Sequence, residues 1–229
     1  MIAAIPLVRA SILQAAVAAL DELGAPVERL LERVHLSPQI LRQPDAFVPF
    51  AAVTRLLEVT ARREGVEDLG LRLGQHLSER PPGTFGHLVA RASTLGEALD
   101  TVYRLTPHHN SGIRAWRTTD GAQVRLHHLL LHGGEQEWGQ FAAAVLMQYL
   151  KILASVAGPD WRPAAVQVPM RRLPGFRAVP LLWDTPIEVG QPAITITFSA
   201  ALLDRPLRSR GPGPDGGHGS RLGPRHAGA

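Results

Sequence analysis

Histidine is the residue type with the most chemistry to offer in this chain. Three of the ten histidines, His127, His128 and His132, fall within six positions, and His108–His109 form a second pair. Imidazole serves as a metal ligand and as a proton carrier near neutral pH. The spacing argues against a shared ion, because neighbouring residues of a strand face opposite ways and His127 diverges from His128. His128 and His132 share a face but lie two pleats apart, about 13 Å at strand rise. A metal centre would need a bend at residues 129–131 or a carboxylate such as Glu135. No metal and no other cofactor is expected. Cysteine is absent, which removes thiolate chemistry and disulfides.

Nucleophilic and phosphate chemistry find no better footing. Ser93 and Thr94 stand before an apolar helical pattern and read as caps, with Glu97 spaced to close a capping box on Thr94. There is no Gly-x-Ser-x-Gly elbow, no His-Glu-x-x-His pair and no Walker loop. Gly70 to Gly74 and Gly83 to Gly86 are too sparse to cradle phosphate. No cleft with paired titratable groups can be drawn, so an enzyme is not expected.

The aromatic residues offer a different chemistry. Trp116 falls on an alternating segment, Trp138 and Tyr149 on a long helical one, and Trp183 in a late turn. Between a sheet and a helix they would form the apolar wall that small-molecule sites favour, with Arg114 and His128 as polar groups. The competing expectation is that each ring is core. These six residues are the candidate ligand site.

Bulk properties restrict partners. The chain has 229 residues, 45% of them hydrophobic and 19% charged, with a net charge of +4. The stretch from Arg208 onward holds four arginines and one aspartate, so the preceding body is close to neutral. A duplex binder normally carries a clustered basic face. Lys151 is the sole lysine beside 23 arginines. No apolar run is seen that approaches the ~18 residues of a membrane span, and Met1 to Arg9 has no basic start of a secretory signal. A cytoplasmic protein with no membrane contact is expected.

The elements that must position these groups change character along the chain. The first eighty residues read as helices. Ser11 would cap one bearing Leu13, Ala16, Val17 and Leu20, and Pro26 would open the next, with Val27, Leu30, Leu31 and Val34 inward. Ser37–Pro38 opens a short third. Pro49 opens a fourth, with Phe50, Val53, Leu56, Leu57 and Thr60 on one stripe, and residues 66–78 form a fifth. After the capped helix pair that starts at Gly83, the period becomes two. Segments 113–119 and 122–131 flank Asp120–Gly121, which fits a type I′ hairpin. A long helix follows over 135–156, with Trp138, Phe141, Val145, Tyr149, Ile152 and Val156 on one broad face. Its other face, with Gln140, Ala144, Met147, Gln148 and Lys151, would suit helix–helix dimerisation or solvent. Strands are expected at 164–168 and 193–198, with a short helix over 176–182 and a turn or extra strand over 183–189. The result is an α+β fold: an N-terminal helical bundle, then a small mixed or antiparallel sheet packed against a long helix.

The order of several short motifs is similar to the N-terminal, arabinose-binding-like domain of AraC-type transcription regulators. Leu23-Gly24-Ala25-Pro26 precedes Leu30–Leu31, and Pro44–Asp45 precedes Val48–Pro49. Leu69-Gly70-Leu71-Arg72-Leu73-Gly74 is followed by Phe85–Gly86 and by Ser93-Thr94-Leu95-Gly96-Glu97-Ala98-Leu99. Trp161-Arg162-Pro163 leads into a strand, and Leu203–Asp204 into Pro206–Leu207. The resemblance covers residues 10–207.

It implies an effector-sensing and dimerisation unit over 1–207, with a helical part over 1–106 and a sheet-containing part over 107–207. It also implies transcriptional regulation in response to a small-molecule effector, as a homodimer or as a heterodimer with a full-length regulator. DNA would be reached only through a helix-turn-helix half, expected after Leu207 and not seen there. Residues 208–229 are instead rich in Gly, Pro and Arg with no apolar period, and are expected to be disordered. That composition is what out-of-frame translation of a GC-rich gene would look like. Two positions depart from the resemblance: Pro192–Ala193 stands where a polar residue is common, and Pro169–Met170 where a histidine is. If those positions touch effector, its class differs. The alternative is a stand-alone small-molecule- or metal-binding module acting through protein contacts.

Overall fold

The computed structural model describes residues 5–22, 24–77, 83–131 and 135–207. His132 and the tail from Arg208 lie outside them.

Helical periodicity is realised where apolar residues recur every three to four positions. α1 (Ala10–Glu22) buries Leu13, Ala16 and Leu20, and α2 (Val27–Arg33) buries Leu30 and Leu31. Ser37 Oγ accepts from the Gln39 N–H at 3.3 Å and starts a 3₁₀ turn over Pro38–Arg42. α3 (Phe50–Glu64) buries the expected stripe of Phe50, Val53, Leu56, Leu57 and Thr60. α4 (Leu69–His76), α5 (Gly83–Val89) and α6 (Leu95–His109) complete the helical layer.

Caps follow local chemistry with two differences from expectation. Ser11 lies inside α1. Its N–H and that of Ala10 donate to the carbonyls of Pro44 (2.9 Å) and Ala46 (2.8 Å), so a neighbouring loop caps this helix. At α6, Thr94 Oγ1 accepts from the Glu97 N–H at 3.3 Å. The returning Glu97 carboxylate takes the N–H of Ser93 at 2.7 Å, one residue before the position a standard capping box would use.

Two three-residue strands escape the sequence pattern. β1 (Leu7–Arg9) and β2 (Phe47–Pro49) pair antiparallel and tie the N-terminus to the start of α3. The main sheet contains β3 (Ile113–Asp120), β4 (Gln123–Leu130), β5 (Ala165–Gln167), β6 (Ile187–Glu188) and β7 (Ile194–Ser199), in the spatial order β3-β4-β7-β5-β6. All neighbours are antiparallel except β5 and β6. The expected short helix over 176–182 is two 3₁₀ turns, Phe176–Ala178 and Pro180–Leu182. The hairpin turn sits one residue later than expected. Asp120 pairs with Gln123, leaving Gly121–Ala122 as the two central residues, and only Gly121 has positive φ (56°). That fits a II′ turn, which asks for glycine at its first central position, rather than I′.

α7 (Glu135–Ala157) organises the molecule. Phe141 and Ala144 join the cluster formed with α1–α4, while Ala142, Leu146, Leu150 and Leu153 join the sheet. Burial on both sides explains its composition. Trp138–Ala157, 20 residues, is long and apolar enough to cross a membrane, contrary to the sequence reading that no such run exists. Here the apolar content serves two cores.

The face of α7 expected to dimerise is covered by α4. Gly70 and Gly74 let the two backbones approach so closely that a β-carbon on Gly74 would lie 2.7 Å from the Ala144 carbonyl oxygen and 2.5 Å from Met147 Cβ. Gln140 Oε1 accepts from the Gly70 N–H (2.7 Å), and Gln140 Nε2 donates to the Glu67 carbonyl (2.9 Å). At the other end of α4, Lys151 Nζ donates to the carbonyls of Gln75 (2.6 Å) and Leu77 (2.7 Å), with Gly74 O at 3.4 Å. α7 thus satisfies backbone groups that α4 leaves open at both termini.

Candidate ligand-binding site

A cavity of about 620 Å³ lies where the helical layer meets the sheet. Each wall is a helical stripe or a strand position. α7 contributes Phe141, Val145, Gln148, Tyr149 and Ile152, spaced at i, i+4, i+7, i+8 and i+11. α6 contributes Val102, Thr106 and His109 at i, i+4 and i+7. Ile12, Ala15 and Ala18 of α1, Val53 and Leu57 of α3, Leu73 at the end of α4 and Phe85 of α5 close the helical side. Ile113 and His128 form the sheet side.

His128 is one of several polar residues on the cavity wall, with Thr106, His109, Gln148 and Tyr149 among the others. It is 3% exposed, and its Nδ1 lies 3.3 Å from the Tyr149 hydroxyl. The hydroxyl can donate to Nδ1 or accept from it, according to the imidazole tautomer. The other ring nitrogen, Nε2, has no partner. Five buried side-chain polar atoms are in this condition among the described residues, and only His128 Nε2 belongs to a residue that lines the cavity. A buried polar nitrogen without a partner costs free energy.

Burial disfavours the charged forms of the inner His and Tyr side chains. It holds the His128 imidazole down to about 4 and pushes the Tyr149 hydroxyl up. His109, stacked on Phe85 with 4.4 Å between ring centroids, is also held near 4, first by burial and then by Arg9, with Asp45 opposing. Both histidines therefore take up protons on unfolding between pH 4 and their ordinary value of 6.5. Their contribution to stability is complete above 6.5 and declines as pH falls toward 4. The expected result is a stability that drops with acidification across this window. His128→Leu should flatten the slope by about one proton, or ~1.4 kcal/mol per pH unit, in urea melts between pH 6.5 and 4.

The structure brings together two of the six candidate residues, His128 and Tyr149. Arg114 and Trp116 lie on the opposite face of the sheet. Trp116 pairs with His127 while Ala115 pairs with His128, so strand alternation excludes Trp116 and His128 from one cavity. Trp116 instead stacks on His127 at 4.9 Å, with the Arg114 guanidinium 5.7 Å from its ring. Trp138 packs against the sheet core with Nε1 buried and unpartnered, and does not line the cavity. Trp183 is 54% exposed and donates Nε1–H to the Arg177 carbonyl at 3.0 Å.

Among the described residues, the convergence a metal would need is not formed. His127 places Nδ1 3.1 Å from Thr195 Oγ1 and Nε2 3.1 Å from Thr118 Oγ1, with both nitrogens engaged and His128 on the other side of the sheet. Among the described residues no group of three His, Asp or Glu is placed to hold an ion. A second groove, of about 530 Å³, runs past Glu58 and Gln140. Its half-buried carboxylate is already engaged, since Glu58 accepts from the Gln140 N–H at 2.7 Å.

The helical half of the cavity was missed from sequence. Its signal was present in Val102, Thr106 and His109, which share one stripe of α6, and in the small residues Ala15 and Ala18 of α1 that leave the space open.

A family model described as the arabinose-binding domain of AraC transcription regulator, N-term, matches residues 24–207. Among solved structures, the chain is similar to the crystal structure of transcriptional regulator CdpR from Pseudomonas aeruginosa. The TM-score is 0.61 at 17% sequence identity, over 86% of this chain and 57% of that one. The chain thus spans little more than half the length of that regulator, and the likeness is one of fold. No curated protein matches the sequence.

Proposed function

The chain belongs to the family of arabinose-binding domains found at the N-terminus of AraC transcription regulators, and we propose that residues 1–207 sense a small-molecule effector in the cavity between the helical layer and the sheet. The observation that carries this is the chamber itself, walled mainly by apolar side chains of α1, α3, α6 and α7 with a few polar residues such as Thr106, His109, Gln148 and Tyr149 among them. Its volume is within the size range of small-molecule sites. Occupancy would bridge α1, α3, α6, β4 and α7, and so bias how these elements pack. Regulation of transcription follows from the family. Any pairing with a second regulator chain would use a surface other than the α7 face that α4 covers.

The test is a thermal-shift screen of sugars, amino acids, organic acids and neutral aromatic and acyl compounds against the wild-type chain and Ala15→Trp, which fills the cavity. An effector at ~100 times its Kd should stabilise the wild type by about 2.7 kcal/mol. That corresponds to roughly 5–10 °C for a chain of this size, and Ala15→Trp should lose it. Equal shifts in both proteins, or none with any compound, would sink the reading.

A further inference from the structure

Residues 203–207, the last of the described fold, are held by two helices that wall the cavity. At α6 the N–H groups of Leu95 and Gly96 donate to the carbonyls of Arg205 (3.0 Å) and Leu203 (2.8 Å). The N–H of Leu207 donates back to the Ser93 carbonyl at 3.1 Å. An α-helix leaves its first N–H groups without partners of its own. Leu95 and Gly96 are buried, so without this segment their N–H groups would lose protein and water partners alike. Gly96 is what admits it, because a β-carbon there would stand 3.1 Å from the Leu203 oxygen. At α7 the same segment serves the opposite end. No basic residue lies in the last turn of α7, and Arg205 Nη1 donates to the carbonyls of Ala157 (3.0 Å) and Val156 (3.4 Å). The guanidinium thus sits where the helix dipole favours a cation. One short segment closes the N-terminus of α6 and the C-terminus of α7.

Both attachments lie close to the cavity along stiff rods. On α6, Leu95 is ~10 Å along the helix from Val102, and on α7, Val156 is ~6 Å from Ile152, both of which line the cavity. An occupant that touches both helices fixes their spacing and angle. The segment keeps all its bonds only over a narrow range of that geometry, because hydrogen bonds weaken steeply with distance and misalignment. We propose that residues 203–207 are a brace that reads occupancy of the cavity. An occupied cavity holds α6 and α7 at the spacing the segment bridges, and an empty one lets the segment release more often. The inference rests on the cavity being the effector site and adds how its state leaves the domain. The family stands at the N-terminus of its regulators, so the remainder of such a regulator is joined through this segment. Occupant and brace favour one another, and by linkage each strengthens the other by the same factor.

The experiment uses the full chain and N-phenyl-1-naphthylamine, an uncharged dye that fluoresces in apolar surroundings, as the cavity probe. Ala15→Trp should abolish its binding. Arg205→Gln, which lies outside the cavity, should weaken binding about threefold, the contribution of a modest hydrogen bond. Arg205→Lys keeps a cation at the end of α7 and should recover part of the loss. Arg125→Gln, which removes an exposed arginine from β4, should leave the affinity unchanged. In the other direction, saturating dye should slow amide exchange at Leu95, Gly96 and Leu207, followed by NMR, by about the same factor of three in the wild type and not in Ala15→Trp. Equal dye affinity in the wild type and Arg205→Gln would overturn the brace and leave the cavity as the effector site. Weaker binding in Arg205→Gln with no dye-dependent slowing at the three amides would mark a general loosening and overturn the brace as well. A dye that does not bind, or binds Ala15→Trp as it binds the wild type, would overturn the cavity reading and the brace with it.

Discussion

Gly70→Ala should destabilise the chain by about 3 kcal/mol or more, although alanine is the better helix former. In an open helix the same change is worth up to ~1 kcal/mol in the opposite direction. Here a β-carbon would run into the Gln140 carbonyl, with the carbonyl carbon at 2.8 Å and Ala143 Cβ at 2.9 Å. Backbone cannot swing aside as a flexible side chain can, so α4 must move off α7 and forfeit the Gln140 hydrogen bond to Gly70 N–H. Gly74→Ala should act in the same sense, against Met147 Cβ and Ala144 O. The internal control is Gly139, on the same long helix. A methyl there meets Glu58 Oε1 at 3.5 Å and Met170 Cγ at 3.7 Å, which is ordinary contact, so Gly139→Ala should be neutral or stabilising. Urea denaturation of the three variants separates the cases. If Gly70→Ala and Gly139→Ala behave alike, the close approach of α4 and α7 is wrong.

The second large effect is expected at Lys151. Lys151→Met keeps most of the aliphatic stem and removes the ammonium that α4's C-terminal carbonyls receive. Hydrogen bonds to a charged donor are worth more than neutral ones, and the cation also sits at the negative end of the α4 dipole. The expected loss is about 2–3 kcal/mol. Lys151→Arg should recover less than half of it. The carbonyls of Gln75 and Leu77 converge on one nitrogen, which a compact ammonium suits and a planar fork does not. A chain that otherwise uses arginine for every basic position has lysine at the place where that geometry matters. Full rescue by arginine, read from chemical melts, would show that charge alone accounts for the clamp.

Much of the fold was legible because periodicity is a direct record of burial. The stripes of α3 and α7 and the alternation of β3 and β4 appear in the sequence as they do in space. What escaped was short or depended on a partner. β1 and β2 have three residues each, too few to show a period of two, and exist by pairing with one another. The hairpin slipped by one residue because Asp–Gly and Gly–Ala both place glycine in a two-residue turn, and pairing in the sheet decided between them. Gly70 and Gly74 were weighed as a phosphate cradle and set aside, but their positive use, letting two helix backbones touch, depends on what faces them. The site was partly legible for the same reason. His128 and Tyr149 were placed together because each lies on a face that patterning defines. Trp116 and Arg114 were grouped with them by residue type, against the strand parity that pairs Trp116 with His127 in the observed register and keeps it on the odd-numbered side in the expected one. The α6 stripe was overlooked because Thr106 and His109 are polar, and polar residues on an amphipathic helix are ordinarily assigned to solvent.

The lone lysine has a practical meaning beyond stability. Reagents that attack side-chain amines have one target in this sequence, and that amine is held between the end of α4 and the long helix that also walls the chamber. Acylation requires access to that nitrogen, which the carbonyls at the end of α4 engage. The protein therefore carries its own single-site footprinting probe at the seam between its ligand chamber and its helical packing.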